Sequence, residues 1–144
     1  MPPIVICGTD TDVGKTIVSS LLVQGLEAIY WKPIQSGLED GGDTGKVCEL
    51  LNLTKERYYP EIYKFKAAVS PHWAAEKENL VISPEKLVIP ITQKPLIIET
   101  AGGIMVPLNR TWLQADQLQK WMCPVVLVAR SGLGTLNHTL LSVE

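Results

Sequence analysis

No stretch of this 144-residue sequence comes near the roughly 18 consecutive apolar residues that a membrane-spanning helix needs, and no basic-then-apolar leader opens it. The expectation is therefore a soluble, cytoplasmic protein. A basic excess is missing too, since 13 lysines and arginines face 15 aspartates and glutamates for a net charge of -2. Without a general positive field, neither nucleic acid nor an anionic membrane is an expected partner, and the charge argues for a small-molecule enzyme. Cysteine is scarce. Cys7, Cys48 and Cys123 fall in an apolar run, a helical stretch and a position before a strand, which is core usage rather than a disulfide framework or metal spacing.

What is present is apolar material, 46% of the chain. A chain of this length buries roughly 68–70% of its unfolded surface, enough for one sheet with helices on it. One domain over residues 1–144 is expected.

The most informative stretch is Gly8-Thr9-Asp10-Thr11-Asp12-Val13-Gly14-Lys15-Thr16, which lies between the apolar run Pro3–Cys7 and a helical pattern that begins at Thr16. A strand, a glycine-bearing loop and a helix in that order form a phosphate loop. Backbone N–H groups and the positive end of the helix face polyphosphate oxygens, Lys15 reaches the β- and γ-phosphates, and the Thr16 hydroxyl ligates Mg²⁺. The loop is a variant, with five residues rather than four between Gly8 and Gly14. Asp10 and Asp12 are unusual beside anions, because a carboxylate near a triphosphate is repelled unless a cation intervenes. They place metal or an amine, or Asp10 merely caps the turn.

Along the rest of the chain, Ile17, Val18, Leu21, Leu22 and Leu26 share a helical face, and Ala28–Trp31 reads as a second strand. Lys32 follows at the strand end, Pro33 breaks the strand, and Ile34-Gln35-Ser36-Gly37 reads as a loop. In an open parallel sheet the carboxyl ends of the strands form the ligand crevice, so Lys32 and Ser36 face the same side as Lys15. After Glu39-Asp40-Gly41-Gly42, Asp43 heads a helix as a cap or a ligand, with Asp40 as its competitor. Residues 55–66 read as a surface segment with an extended piece at Ile62–Phe65. Ser70-Pro71 opens a helix with Ser70 as its cap, and Ser83-Pro84-Glu85 opens another that Pro90 stops. His72 and His138 read as surface or packing residues. Pro95–Glu99 is a buried strand with a carboxylate at its tip, followed by the permissive Thr100-Ala101-Gly102-Gly103. Ala115, Leu118, Trp121 and Met122 keep helical spacing before the buried strand Val125–Ala129, and the Gly-containing turn of residues 130–139 opens a last helix. Four apolar strands alternating with helices predict an α/β fold of the P-loop NTPase type, with a mostly parallel sheet and helices on both faces.

Four motifs, Gly8–Thr16, Lys32-Pro33-Ile34-Gln35-Ser36-Gly37, Ser70-Pro71-His72 and Glu99-Thr100-Ala101-Gly102-Gly103, together resemble the ATP-dependent dethiobiotin synthetase family over essentially the whole chain. The resemblance implies ATP and Mg²⁺ as cofactors, a diamine substrate with CO₂, and a homodimer in which the loop of residues 130–139 takes the substrate carboxylate across the interface. It assigns nucleotide contacts to Asp12, Val13, Gly14, Lys15, Thr16 and Ile17, to Asp43, and to Glu99, Thr100, Ala101 and Gly102. Metal falls to Thr16, Asp43 and Glu99, catalysis to Lys15 and Lys32, and substrate to Thr11 and Ser36. The sequence departs from the pattern at Thr100, where a glycine is common, and in the shorter helix before Pro90.

The expected reaction is closure of a ureido ring on 7,8-diaminopelargonate to give dethiobiotin, ADP and phosphate. A rival is a nucleotide-switched binding module of the plasmid-partition type, whose loop carries an early lysine where this sequence has Asp10. A further alternative is an inactive, shortened synthetase, because the family continues beyond the position of Glu144 with strands that include an adenine-binding asparagine. On that reading the 144-residue chain keeps triphosphate and Mg²⁺ contacts but binds ATP weakly, with little preference over GTP. Calorimetric titration with ATP and GTP checks this expectation, and tight, adenine-selective binding would contradict it.

Overall fold

The computed structural model describes residues 1–38 and 41–144. Glu39 and Asp40, including Asp40 as a rival to Asp43, lie outside the described residues. In chain order the elements are β1 (Ile4–Gly8), α1 (Lys15–Gly25), β2 (Ile29–Trp31), β3 (Ile34–Ser36), α2 (Gly42–Leu51), β4 (Tyr58–Tyr59) and β5 (Tyr63–Phe65). They continue with α3 (Pro71–Lys77), β6 (Leu96–Gly103), β7 (Pro107–Asn109), β8 (Trp112–Leu113), α4 (Gln114–Trp121), β9 (Val125–Val128) and α5 (Thr135–Val143).

Five strands form the main sheet in the order β4-β2-β6-β1-β9, and every neighbouring pair is parallel. Side chains alternate across it with the period of two that a strand imposes. Ile6, Tyr30 and Ile97 point to one face and pack with Val23 of α1 and Val47 of α2. Val5, Trp31, Leu96 and Ile98 point to the other, against Leu118 and Trp121 of α4. Helices thus cover both faces, as the sequence predicts, and a parallel sheet requires that cover.

The same alternation locates the chemistry. Tyr30 pairs with Ile97 and Trp31 with Ile98, so one step further Lys32 and Glu99 stand side by side on the α1 face at the carboxyl end. A second apolar cluster, centred on Ile34, Phe65, Ala74, Ile82 and Leu108, supports α3 and β3 beside this end.

Several expectations are corrected. Ile34–Ser36 is a strand, because it pairs in parallel with Tyr63–Phe65; the partner lies too far along the chain to register in local pattern. Within residues 55–66, Tyr58–Tyr59 adds a sheet edge beside β2. Ser83-Pro84-Glu85 makes a turn, with Lys86 N–H on the Ser83 carbonyl at 3.1 Å, and no helix follows. Ser70 does not cap α3 through its side chain, although Pro71 takes the first helical position. Met122 ends α4 in a left-handed conformation and is exposed, and Val125 and Val126 are half-exposed because β9 is the outer strand.

The end of α1 is held from a distance. Arg57, in the short 3-10 turn Lys55–Arg57, donates to the Ala28 carbonyl at 2.9 and 3.1 Å and to the Val23 carbonyl at 3.3 Å. The Val23 carbonyl also takes the Ala28 N–H at 2.9 Å, so these charge-assisted bonds clamp the last turn of the helix to the segment that leads into β2. Arg57→Ala is expected to lower unfolding stability by about 1.5–3 kcal/mol in urea titration, with Arg57→Lys recovering only part because an ammonium cannot span both carbonyls.

Candidate functional site

At the carboxyl end of the sheet, beside the loop between β1 and α1, lies a cleft of about 640 Å³. The loop is shaped by its glycines. A Cβ on Gly8 would sit 2.8 Å from the Asp10 carbonyl oxygen and 3.0 Å from Lys15 Nζ, and Gly14 turns into α1 with φ of 102°. Only glycine accommodates both. The helix begins with no acid in its first turn, so its free N–H groups and partial positive charge face the cleft.

Glu99, at 1% exposure, is the node of the site. Its Oε1 accepts the Thr16 hydroxyl at 2.9 Å and Lys32 Nζ at 3.0 Å, and its Oε2 accepts the Tyr30 hydroxyl at 3.0 Å. Lys32 also meets Asp43 Oδ2 at 2.7 Å, and Lys46 stands 3.8 Å from Asp43 Oδ1. Residues at positions 16, 32, 43 and 99 are thus linked through two carboxylates and one ammonium. Asp43 is in the first turn of α2 but is not its cap, because its side chain goes to Lys32. Lys15 Nζ donates to the Asp10 carbonyl at 2.7 Å, and Lys15 and Lys32 both line the cleft.

Electrostatics follow from burial and pairing. Burial alone would pull the pKa of Lys32 down, but the Glu99 and Asp43 carboxylates outweigh it and hold the pKa above the ordinary lysine value. Asp43 mirrors this: burial pushes its carboxyl up, and the Lys32 ammonium brings it below the usual value. Burial lowers the pKa of Lys15, with the like charge of Lys32 adding to the effect. Tyr30 is raised well above the usual phenol range by burial and by the Glu99 charge.

The structure brings most of the sequence-predicted residues to the cleft wall. Thr11, Asp12, Gly14, Lys15, Thr16 and Ile17 line it from the loop and α1, Lys32, Ser36 and Asp43 from the middle of the chain, and Glu99, Ala101 and Gly102 from β6. The side chains of two others turn away from the cleft: Val13 packs against the apolar cluster under the sheet, and the Thr100 hydroxyl donates to the Ile6 carbonyl at 3.2 Å. Ser36 Oγ is buried without a hydrogen-bond partner among the described residues. The Asp10 carboxylate, in contrast, takes the Thr11 N–H at 2.7 Å and Arg130 at 2.7 Å, on the exposed side of the loop. His72 borders a smaller cavity, apart from this one.

Tyr30, Gln35 and Lys46 were not among the sequence candidates. Tyr30 carried a readable signal, since it lies two residues before Lys32 and so shares its face. The oxygens of Thr16, Asp43 and Glu99 are the hard donors that Mg²⁺ takes. Among the described residues no cluster of three histidine, cysteine or acidic side chains forms a metal centre of its own.

A family model described as an AAA domain matches residues 3–144. The chain is 49% identical over 141 residues to an ATP-dependent dethiobiotin synthetase of Nitrobacter hamburgensis, covering 98% of this chain and 66% of that protein. It is 50% identical over 142 residues to one of Rhodopseudomonas palustris strain BisB5, covering 99% and 67%, and 46% identical over 141 residues to one of Brucella abortus, covering 98% and 66%. The chain spans about two thirds of the length of the curated relatives it matches.

The paired shifts define a pH window. Asp43 has its folded pKa below the ordinary 3.8, so its contribution is complete above that value and is lost as pH falls through the folded pKa. Lys32 has its folded pKa above the ordinary 10.5, so its contribution is complete below that value and is lost as pH rises through the folded pKa. The stability difference between the parent and Asp43→Asn is therefore expected to be flat from about pH 5 to about pH 10 and to shrink in stronger acid, as read by denaturant unfolding across pH. A difference that grew in acid would contradict the pairing.

Proposed function

We propose, from the premise that the chain belongs to the ATP-dependent dethiobiotin synthetase family, that its cleft carries out ATP-dependent carboxylation and ring closure of 7,8-diaminopelargonate. One amine of the substrate adds CO₂ and loses a proton to become a carbamate. A carbamate oxygen attacks the γ-phosphorus, the bond to the bridging oxygen breaks, and ADP leaves. The second amine then attacks the carbamoyl carbon of the mixed anhydride, expelling phosphate and losing one proton as the ureido ring of dethiobiotin closes.

The observation that carries this reading is Lys32, buried at 4% exposure and ion-paired at the end of β2, in the same cleft as Lys15. Two ammonium groups aimed at one cleft suit charge that develops on a phosphoryl group in transfer. Lys15 and the first turn of α1 would receive the triphosphate, with Asp12, Gly14 and Ile17 around it, and Ala101 and Gly102 approaching through their backbone. Thr16, Asp43 and Glu99 would hold Mg²⁺, which supplies charge neutralisation at the phosphates when bound. Thr11 and Ser36 would face the diamine, with the Ser36 hydroxyl donating to the carbamate. Val13 and Thr100 would approach the triphosphate through their backbone groups, while their side chains support the loop and β6. The turn that leads into α5 would receive the substrate carboxylate in a homodimer, and the setting is the cytoplasm; no described helix is long and apolar enough to cross a membrane.

Nothing in the cleft favours the partition-type alternative, because the position of that class's early lysine holds Asp10, whose carboxylate is taken by Arg130.

The test is phosphate release dependent on both the diamine and bicarbonate. Lys32→Gln keeps length and hydrogen bonding while removing the charge, and turnover should fall by about 10²–10³-fold with a much smaller change in nucleotide affinity. Undiminished turnover in a folded Lys32→Gln chain would end the assignment.

A further inference from the structure

The second helix starts without a cap of its own. Gly41, at the cap position, and Gly42 have no side chain to offer and adopt positive φ of 78° and 71°, so the cap residue itself cannot supply the oxygen that a serine or aspartate there ordinarily gives. The acceptor comes from another element. Gln35 Oε1, on β3, receives the Asp43 N–H at 3.0 Å, while Gln35 Nε2 donates to the carbonyls of Ser36 at 2.9 Å and Gly37 at 3.0 Å. These partners fix the orientation of the amide, because an N–H only donates and a carbonyl only accepts.

The fit around this side chain is close. Gln35 is 6% exposed, and a Cβ on Gly42 would lie 3.1 Å from Gln35 Cγ. Gly41 leaves the cap position without an acceptor, and Gly42 makes room for the replacement. Asp43 is then gripped at both ends, its backbone N–H by Gln35 and its carboxylate by Lys32 at 2.7 Å. Any shift of the helix head relative to β3 moves that carboxylate relative to Lys32 and Glu99.

We propose that Gln35 is a positioning residue, an external cap for α2 that sets where the Asp43 carboxylate stands and so tunes how the cleft takes up the divalent cation of a metal nucleotide. This rests on the reading of the cleft given above. Gln35 itself needs no contact with a reacting atom; it acts through Asp43.

The test uses Gln35→Met in the whole chain, which keeps the length and apolar stem of the side chain and removes all three hydrogen bonds. Amide exchange at Asp43, followed by NMR, should accelerate about tenfold, in line with the loss of one cap. In calorimetric titration of a non-hydrolysable ATP analogue, the Mg²⁺ concentration for half-maximal binding should rise about threefold to tenfold, while affinity at saturating Mg²⁺ stays within about twofold. A merely structural role would move the thermal midpoint and leave this Mg²⁺ dependence alone. Should Gln35→Met fail to fold, Gln35→Asn, whose amide stops one methylene short, is measured for the same two quantities. Unchanged Asp43 exchange or unchanged Mg²⁺ dependence in a folded variant overturns the proposal. Both readouts are taken without turnover, so absence of diamine-dependent phosphate release from the parent chain would count against the reaction and not against Gln35.

Discussion

The structure of the site depends on an ammonium group placed almost out of reach of water. Burying Lys32 is unfavourable unless acceptors replace the lost hydration, and removing one partner from such an arrangement leaves a charge stranded. Glu99 and Asp43 supply acceptors, but Glu99 is itself buried and needs donors for its remaining lone pairs. Thr16 and Tyr30 provide them. Each member is tolerable only because the others are present, which ties the phosphate loop, the second strand, the second helix and the sixth strand into one unit.

Local pattern made the larger part of this legible. Four of the five sheet strands stand out as apolar runs, and the glycine spacing around Lys15 required a strand before it and a helix after it. Residues 16, 32 and 99 could be named because each sits at the end of an element whose direction was readable, and a parallel sheet sends strand ends to one edge. Residue 43 read locally only as a helix cap, and its ligand role came from the resemblance. For Val13 and Thr100 the motif position does not tell which way the side chain faces. A residue within a binding motif can turn inward and support the loop from beneath, and only packing decides which way it faces.

What stayed hidden was non-local. The strand at Ile34–Ser36 is three residues long and owes its extended form to partners 29 positions away, so no window of sequence around it carries the signal. Gln35 was equally silent, since its three hydrogen bonds exist only once β3, its following turn and α2 have met. The turn at Ser83-Pro84-Glu85 failed in the opposite sense: its start signals are those of a helix, but a helix needs successive turns to repay its nucleation, and Pro90 removes them.

The strand order carries a consequence for how the chain folds. β6 lies between β1 and β2, although both precede it by more than sixty residues in sequence. During synthesis the first two strands emerge with no edge to share with each other. β2 gains β4 as a partner on its outer edge, but its inner edge and β1 stay open until the segment around Ile97 leaves the ribosome and inserts between them. Long-range parallel pairing of this kind is slow, and open strand edges are what aggregation exploits. The carboxylate that completes the site arrives on that same inserting strand, so the chain cannot assemble its charged centre before it has closed its sheet.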